Sequence, residues 1–536
     1  MKFKEFELSD IEKLSPLITN KISPSCENTL LNLAVWYPSY NPLFYVDGKD
    51  VYIRIDDKNG PVFSLMLCSD VEKSVNKICE YCAKENIIPQ FLLEDDKVLN
   101  EFNDKFGSEY FIYEVRDAAE YIYKQSDLAE LSGKKYHSKR NHISAFTKKF
   151  NWQYEDLSDI NKEDFLMMSD EWYADNPQKV NAETMVERNG IHFLVQNMSK
   201  FSVSGGLIRI DGKVVAITLG AAINENVFDV MFEKALSDYP GAYAVINREF
   251  ARRIKHELIN REEDLGIEGL RKAKLSYKPH QLLRKYIAVP ISIYNSSKKL
   301  HMDTFKGETE NSTNGLFSRF FKDCFFIQKD GEIISQLFVI NATLNDNSVG
   351  YIYAAATKAE FRSKGLMRSL IEKAKEYNDV LALKPAEQSL YNYYEKLGFT
   401  TAFYNNEITE IKGNNTIEIK KIKDIDEFIA VRNLLLPENS LNLCDEALEY
   451  VLEQYEVYTD KGDLKQNLAV FYVEDGVVNI RELLSDENRD AFVASILKLT
   501  NCNKLSALVP SESFGLRSGM IYPSDNGVNY LGLALD

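Results

Sequence analysis

The residues that come nearest to stating a chemistry lie between Val349 and Phe399. A strand-like run, Val349 to Thr357, turns through Arg362-Ser363-Lys364-Gly365-Leu366-Met367 into a segment with apolar residues at Leu366, Met367, Leu370, Ile371 and Ala374. That spacing predicts an amphipathic helix. A basic, glycine-containing turn that starts a helix leaves backbone N–H groups without intrahelical partners, and the helix dipole adds positive potential at the same spot, which suits a phosphate. A second strand, Asp379 to Leu383, leads through Pro385 into a helix with Leu390, Tyr393, Tyr394 and Leu397 on one face, ended by Gly398.

Strand, phosphate turn, helix, strand and a helix ending Tyr394-Glu395-Lys396-Leu397-Gly398-Phe399 together resemble the acetyl-CoA site of the GNAT superfamily of N-acyltransferases. The resemblance implies acetyl-CoA as co-substrate and no metal. It would place the pantetheine arm beside Ala355 to Thr357 and the pyrophosphate on the N–H groups of Ser363, Lys364, Gly365, Leu366 and Met367, with Arg362 and Lys364 as flanking cations. Tyr394 would protonate the departing thiolate. Glu387, where many relatives have asparagine, either takes a proton or caps the helix, and Tyr394 read without the resemblance is a buried ring. The stretch from Thr357 to Arg368, with Leu383-Lys384-Pro385 and the Tyr394 helix, is most similar to the enhanced-intracellular-survival branch. Enzymes of that branch acetylate amines and carry a further GNAT-like module, so the implied acceptor is a small-molecule or peptide amine.

The elements that must position this stretch recur along the chain. A strand, an Asp-Gly turn and a second strand appear at Asp47-Gly48, Asp211-Gly212, Asp330-Gly331 and Asp475-Gly476. Asp-Gly between alternating strands is a strong hairpin signal, because both residues tolerate positive φ. Three copies close alike, at Phe106-Gly107, Leu397-Gly398 and Ser518-Gly519. The repetition predicts an α/β (α+β) fold of four tandem GNAT-like modules, with mixed sheets and flanking helices, at 1–125, 126–295, 296–412 and 413–536. The first and fourth lack a basic glycine turn and are expected to be structural.

The second module opens on a basic segment with Lys134, Lys135, Lys139, Arg140, Lys148 and Lys149, and closes on a charged loop from Asn260 to Pro279. Either could hold a polyanion such as CoA or a tRNA acceptor end. Residues 1–295 are similar to soluble relatives of the C-terminal catalytic domain of bacterial phosphatidylglycerol lysyltransferases. That resemblance implies paired GNAT-like folds and transfer of an amino acid from aminoacyl-tRNA, with Lys139, Arg140, Asn141, Glu263, Asp264, Arg271, Lys272 and Lys274 in the substrate cleft. The competing reading makes these residues surface ion pairs and a clasp between modules. Tyr239-Pro240-Gly241-Ala242-Tyr243 occupies the place of the phosphate turn here.

Composition narrows the partners. A formal net charge of -17 argues against general attraction to nucleic acid or anionic lipid, and a lipid acceptor fits poorly. Seven scattered cysteines form no disulfide framework, and Cys79 and Cys82 lack the companions of a zinc site. No apolar run is long enough to span a bilayer, so a cytoplasmic protein without stable membrane insertion is expected, its oligomeric state open. Three functions compete: an N-acetyltransferase in the third module, an aminoacyl-tRNA-dependent transferase in the second, and a non-catalytic binding scaffold.

Overall fold

In the computed structural model three of the four Asp-Gly pairs are the two loop residues of a hairpin, and all six of those residues take positive φ. The first differs. Asp47 pairs with Asp50 and stays in its strand, which leaves Gly48 and Lys49 in the loop with Gly48 alone at positive φ. A glycine in the first loop position makes that turn possible without help from the aspartate. The structure describes residues 1–18, 23–27, 29–177, 180–345, 347–462, 465–511, 515–523, 530–531 and 533.

The architecture is mixed α/β, and the chain forms two compact units, Met1–Ile291 and Ser292–Asp536. The first unit holds two seven-stranded sheets. One runs Lys4–Glu5, Leu43–Asp47, Asp50–Asp57, Gly60–Ser64, Gln90–Leu93, Tyr286–Pro290, Tyr110–Glu114 in spatial order. The other runs Gln281–Leu283, Glu120–Lys124, Leu258–Asn260, Val227–Ala235, Lys213–Ala222, Ser204–Ile210, Trp152–Asp156.

The two sheets exchange strands. Tyr286–Pro290, late in the chain, pairs antiparallel with both Gln90–Leu93 and Tyr110–Glu114, while Glu120–Lys124 lies in the second sheet between Leu258–Asn260 and Gln281–Leu283. Gln90–Leu93 is parallel to Gly60–Ser64, and its other edge would be open without the inserted strand. The helix Val71–Glu85 covers the first sheet with Val75, Ile78 and Cys82, and half-buried Cys79 faces the Tyr110 hydroxyl at 3.5 Å. In the second sheet, Ala242–Ala251 packs on one face, and Lys162–Asp175 with Ala182–Gln196 on the other.

The second unit is built on one thirteen-stranded sheet. Its exchange takes another form. Leu516–Tyr522 inserts between Leu381–Leu383 and Thr400–Ile408, and Thr400–Ile408 in turn pairs with Lys504–Pro510, so the exchanged strands join what would be two sheets into one. The helix Leu366–Tyr377 buries Leu370, Ile371 and Ala374 against Tyr391, Tyr394, Leu397 and Phe399. Each large apolar side chain buried this way contributes about 1.5–3 kcal/mol, which holds the first turn of that helix in place. Among the described residues no helix is long and apolar enough to cross a membrane.

Candidate functional site

In the second unit, Asn347–Thr357 pairs in parallel with Leu381–Leu383 only through Gly350, Tyr351 and Ile352. On its other side it pairs with Glu332–Leu344, and there the register shifts: Phe338 faces Tyr353, Gln336 faces Ala356, and Ala354 and Ala355 together oppose Leu337. Ala354 takes φ 49°. A non-glycine residue in the left-handed region costs on the order of 1 kcal/mol or more, so the bulge is a feature that surrounding packing must enforce. The bulge falls just past Ile352, where the parallel pairing with Leu381–Leu383 ends, so Ala355 to Thr357 lie beyond that partner.

The strand ends in a turn that faces the mouth of a helix. Ser363 has φ 60° and Gly365 φ 80°, and Gly365 is the N-terminal cap of Leu366–Tyr377. A Cβ built on Gly365 meets nothing within 4 Å, so the backbone there is open to a ligand. Arg362 folds back through Nε to the Thr357 carbonyl at 3.2 Å, and the Lys364 ammonium lies 4.7 Å from the centre of the Phe361 ring. Thr357 meets the Ser335 hydroxyl at 2.8 Å. Leu366 is half-buried, and half-buried Met367 packs on the core.

Tyr394 is 8% exposed, its ring edge-on to Tyr393 at 5.2 Å and to Phe399 at 6.0 Å. Burial pushes its hydroxyl up to about 12, so it remains a proton carrier at neutral pH. Glu387 is exposed and takes the Ser389 hydroxyl at 3.2 Å, with no side-chain bond to a helix N–H. One group here was not found from the sequence. Glu308 accepts from the Tyr353 hydroxyl at 3.4 Å and faces buried His301 at 2.8 Å, Glu308 Oε2 to Nε2. Tyr353 and Glu308 belong to distant segments, so no local spacing announces them.

The charged residues singled out in the first unit separate into groups. Asp264 is fully buried and accepts from Tyr121 (2.5 Å), Arg271 (2.8 and 2.9 Å), the Gly266 N–H (2.9 Å) and Arg116 (3.3 Å). Burial alone would raise its carboxyl, but the Arg271, Tyr121 and Gly266 bonds outweigh it and bring it down to about 2. Arg271 also holds Asp117 at 2.6 Å. These bonds link the turn at Arg116–Ala118 and the strand Glu120–Lys124 to the helix Glu268–Leu275, the arrangement a clasp would have. Arg140 donates to the Gly133 carbonyl at 2.7 Å, Asn141 faces His137, and exposed Lys272 pairs with Glu268.

Of the remaining three, Lys274 and Glu263 touch each other, and Lys139 stands at the Tyr277 ring, which Arg261 also contacts. Lys274 is buried and donates to the carbonyls of Arg261 (2.6 Å) and Glu263. Lys139 stands 3.9 Å over the Tyr277 ring, with the Arg261 guanidinium 5.1 Å from the same ring. Burial and the Arg261 charge lower the Lys139 ammonium from its ordinary value. Behind them is a polar interior that the sequence did not announce: Ser25, Cys26, Glu120, Asp229, Asn260, Glu262 and Lys285. Glu120 accepts there from Ser25 Oγ (2.6 Å), the Cys26 N–H (2.9 Å) and Lys285 (2.9 Å).

A family described as phosphatidylglycerol lysyltransferase, C-terminal, matches residues 21–289, and one described as acetyltransferase (GNAT) family matches residues 292–399. The two matches fall on the stretches whose motifs carry the corresponding resemblances. A solved structure of a conserved protein of unknown function from Bacteroides thetaiotaomicron is 33% identical, covering 54% of this chain and 99% of that one, with a TM-score of 0.50. L-PGS from Bacillus licheniformis is 13% identical, covering 54% of this chain and 93% of that one, at a TM-score of 0.37. An uncharacterised protein of Mycoplasmoides gallisepticum is 27% identical over 177 residues, which are 31% of this chain, and the chain spans 54% of that relative's length.

Proposed function

This chain belongs to the phosphatidylglycerol lysyltransferase C-terminal family, and from that premise, with an acetyltransferase-family domain following it, we propose that its second unit transfers an acetyl group from acetyl-CoA to a primary amine. The observation that carries this reading is the bulge at Ala354, just past the end of the parallel pairing, followed by a turn whose Gly365 leaves the helix mouth uncovered. Backbone N–H groups from Ser363 to Met367 bind the pyrophosphate, with Arg362 and Lys364 swinging from their present partners to flank it. Main-chain groups of Ala355 to Thr357 orient the pantetheine arm as an added strand would be oriented.

The amine nitrogen attacks the thioester carbonyl and the C–S bond breaks. Tyr394 gives its proton to the sulfur, and Glu308, the carboxylate beside the same strand, takes the proton the amine loses. The proton then returns to Tyr394 through solvent. Glu387, exposed and bonded only locally, is the weaker candidate for that base. Isothermal titration of the whole chain with acetyl-CoA tests the reading, with Gly365→Glu as the control that should not bind.

A second reading, aminoacyl transfer from aminoacyl-tRNA in the first unit, is favoured by Lys139 and Arg261 held over one ring, since like charges kept that close suit an anionic ligand. It requires tRNA binding that falls steeply with salt and is weakened by Lys139→Ala. Binding that is flat with salt would remove it.

A further inference from the structure

Among the described residues, the interior of the first unit contains more negative charge than the cations beside it balance. Glu27, Glu120, Asp229, Glu262 and Glu263 act on one another there, and the ammonium groups among them are Lys274 and Lys285. Lys285 is committed to Glu27 at 2.8 Å and Glu120 at 2.9 Å, and Lys274 to two backbone carbonyls. The nearby Arg261 guanidinium points to Glu233 at 3.1 Å. Asp229, Glu262 and Glu263 are left over, and two of them have a carboxylate oxygen without a hydrogen-bond partner. Asp229, 3% exposed, has Oδ1 without a hydrogen-bond partner, and so has Glu262 at Oε1.

Unpaired carboxylate oxygens buried together are costly, and burial holds both carboxyls well above their ordinary range, with Glu120 adding to it at Asp229 and Asp229 adding to it at Glu262. The third group at this spot is a thiol. Cys26 Sγ, an Asp229 oxygen and a Glu262 oxygen all lie within 4.8 Å of one another. Cys26 is 1% exposed, and its segment is fastened on every side. Its N–H goes to Glu120, Ser25 Oγ to Glu120, the Asn260 amide to the Pro24 carbonyl at 3.0 Å and the Asn224 amide to the Ser23 carbonyl at 3.1 Å. The thiol is therefore held where it is by four bonds that do not involve its sulfur.

We propose that Cys26, Asp229 and Glu262 bind one divalent transition-metal ion of the zinc type. A proton alone would serve two carboxylates, and a substrate ammonium would be served by them too, but neither needs a thiol. One sulfur with two carboxylate oxygens is a donor set for a borderline-soft cation rather than for magnesium or calcium. The ion's two charges offset two of the three negative charges that the Asp229 and Glu262 carboxylates and the Cys26 thiolate carry. On binding, Cys26 loses its thiol proton to solvent and becomes the thiolate ligand, together with any proton the carboxylates share. The ion would pin residues 23–27 to the ends of Val227–Ala235 and Leu258–Asn260, and three protein donors would leave a tetrahedral ion one position for water or substrate. This proposal stands apart from the acetyl-transfer reading, which concerns the other unit.

The test is titration of chelator-treated full-length protein with Co²⁺. The expected result is a thiolate-to-cobalt charge-transfer band saturating at one ion per chain, released by Zn²⁺ and absent in Cys26→Ser. Glu262→Gln should keep the band while weakening the metal at least about tenfold, and it covers the case in which the Cys26 variant fails to fold. No band in the wild-type chain overturns the proposal, and so does a band that persists in a folded Cys26→Ser protein. If n-butylammonium binds instead and Asp229→Asn removes that binding, the pocket belongs to an amine.

Discussion

Replacing Asp264 by asparagine separates a clasp from a substrate cleft. The carboxylate is inaccessible and collects bonds from Arg271, Tyr121, Arg116 and the Gly266 N–H. Lowering its carboxyl from 3.8 to about 2 corresponds to about 2.5 kcal/mol of preference for the charged form. Breaking a buried ion pair from one side costs about 3–5 kcal/mol, and Asp117, still 2.6 Å from Arg271, should keep the loss at or below the lower end. We expect about 2–3 kcal/mol. All three tryptophans, Trp36, Trp152 and Trp172, lie in the first unit, so urea unfolding followed by tryptophan fluorescence reads that unit alone. With a urea slope of about 1–3 kcal/mol/M, the midpoint should fall by roughly 1 M. The sign with pH follows from the lowered carboxyl: the wild-type advantage is full above about pH 4 and disappears as pH falls toward 2. A midpoint shift below ~0.3 M at neutral pH, or an advantage that survives at pH 2, would refute the clasp and return Asp264 and Arg271 to the candidate cleft.

Other perturbations give equally direct readings. Gly365→Glu should weaken acetyl-CoA at least tenfold (about 1.4 kcal/mol). Its melting temperature should fall little, because its Cβ meets open space and only the positive φ is strained. Tyr394→Phe should lower kcat by roughly 10²- to 10⁴-fold with acetyl-CoA affinity unchanged, and the wild-type rate should show no alkaline loss due to this group until pH approaches 12. Arg432→Met, which removes bonds of 2.8 and 3.1 Å and leaves buried Glu482 without its cation and held by the Tyr530 hydroxyl at 3.3 Å, should cost the second unit about 3 kcal/mol in calorimetric unfolding, and the double variant with Glu482→Leu should recover most of it.

Short-range features were legible in the sequence. The Gly365 turn, the helix behind it and the Tyr394 helix are contiguous, and their residue spacing carries the geometry that the structure displays. The Asp-Gly pairs announced hairpins, although at Asp47-Gly48 the turn slid one residue toward Lys49 because one glycine suffices there. Strand exchange was not legible. Tyr286–Pro290 and Leu516–Tyr522 are ordinary strands by pattern, and which sheet edge they fill depends on edges left open far away in the chain. The same distance hid Glu308 beside Tyr353 and Cys26 beside Asp229 and Glu262, so a cysteine read as one of seven scattered thiols lies inside a charged interior. Of the eight residues chosen for the first-unit cleft, Asp264 and Arg271 are bound to each other, and Arg140, Asn141 and Lys272 have local partners, pairings that charge and spacing do not reveal.

Whether the second unit takes acetyl-CoA is read most directly by isothermal titration of the purified chain. One site per chain is expected, retained in Tyr394→Phe and lost in Gly365→Glu. No detectable heat with the wild-type chain, or a site that persists unchanged in Gly365→Glu, would contradict it.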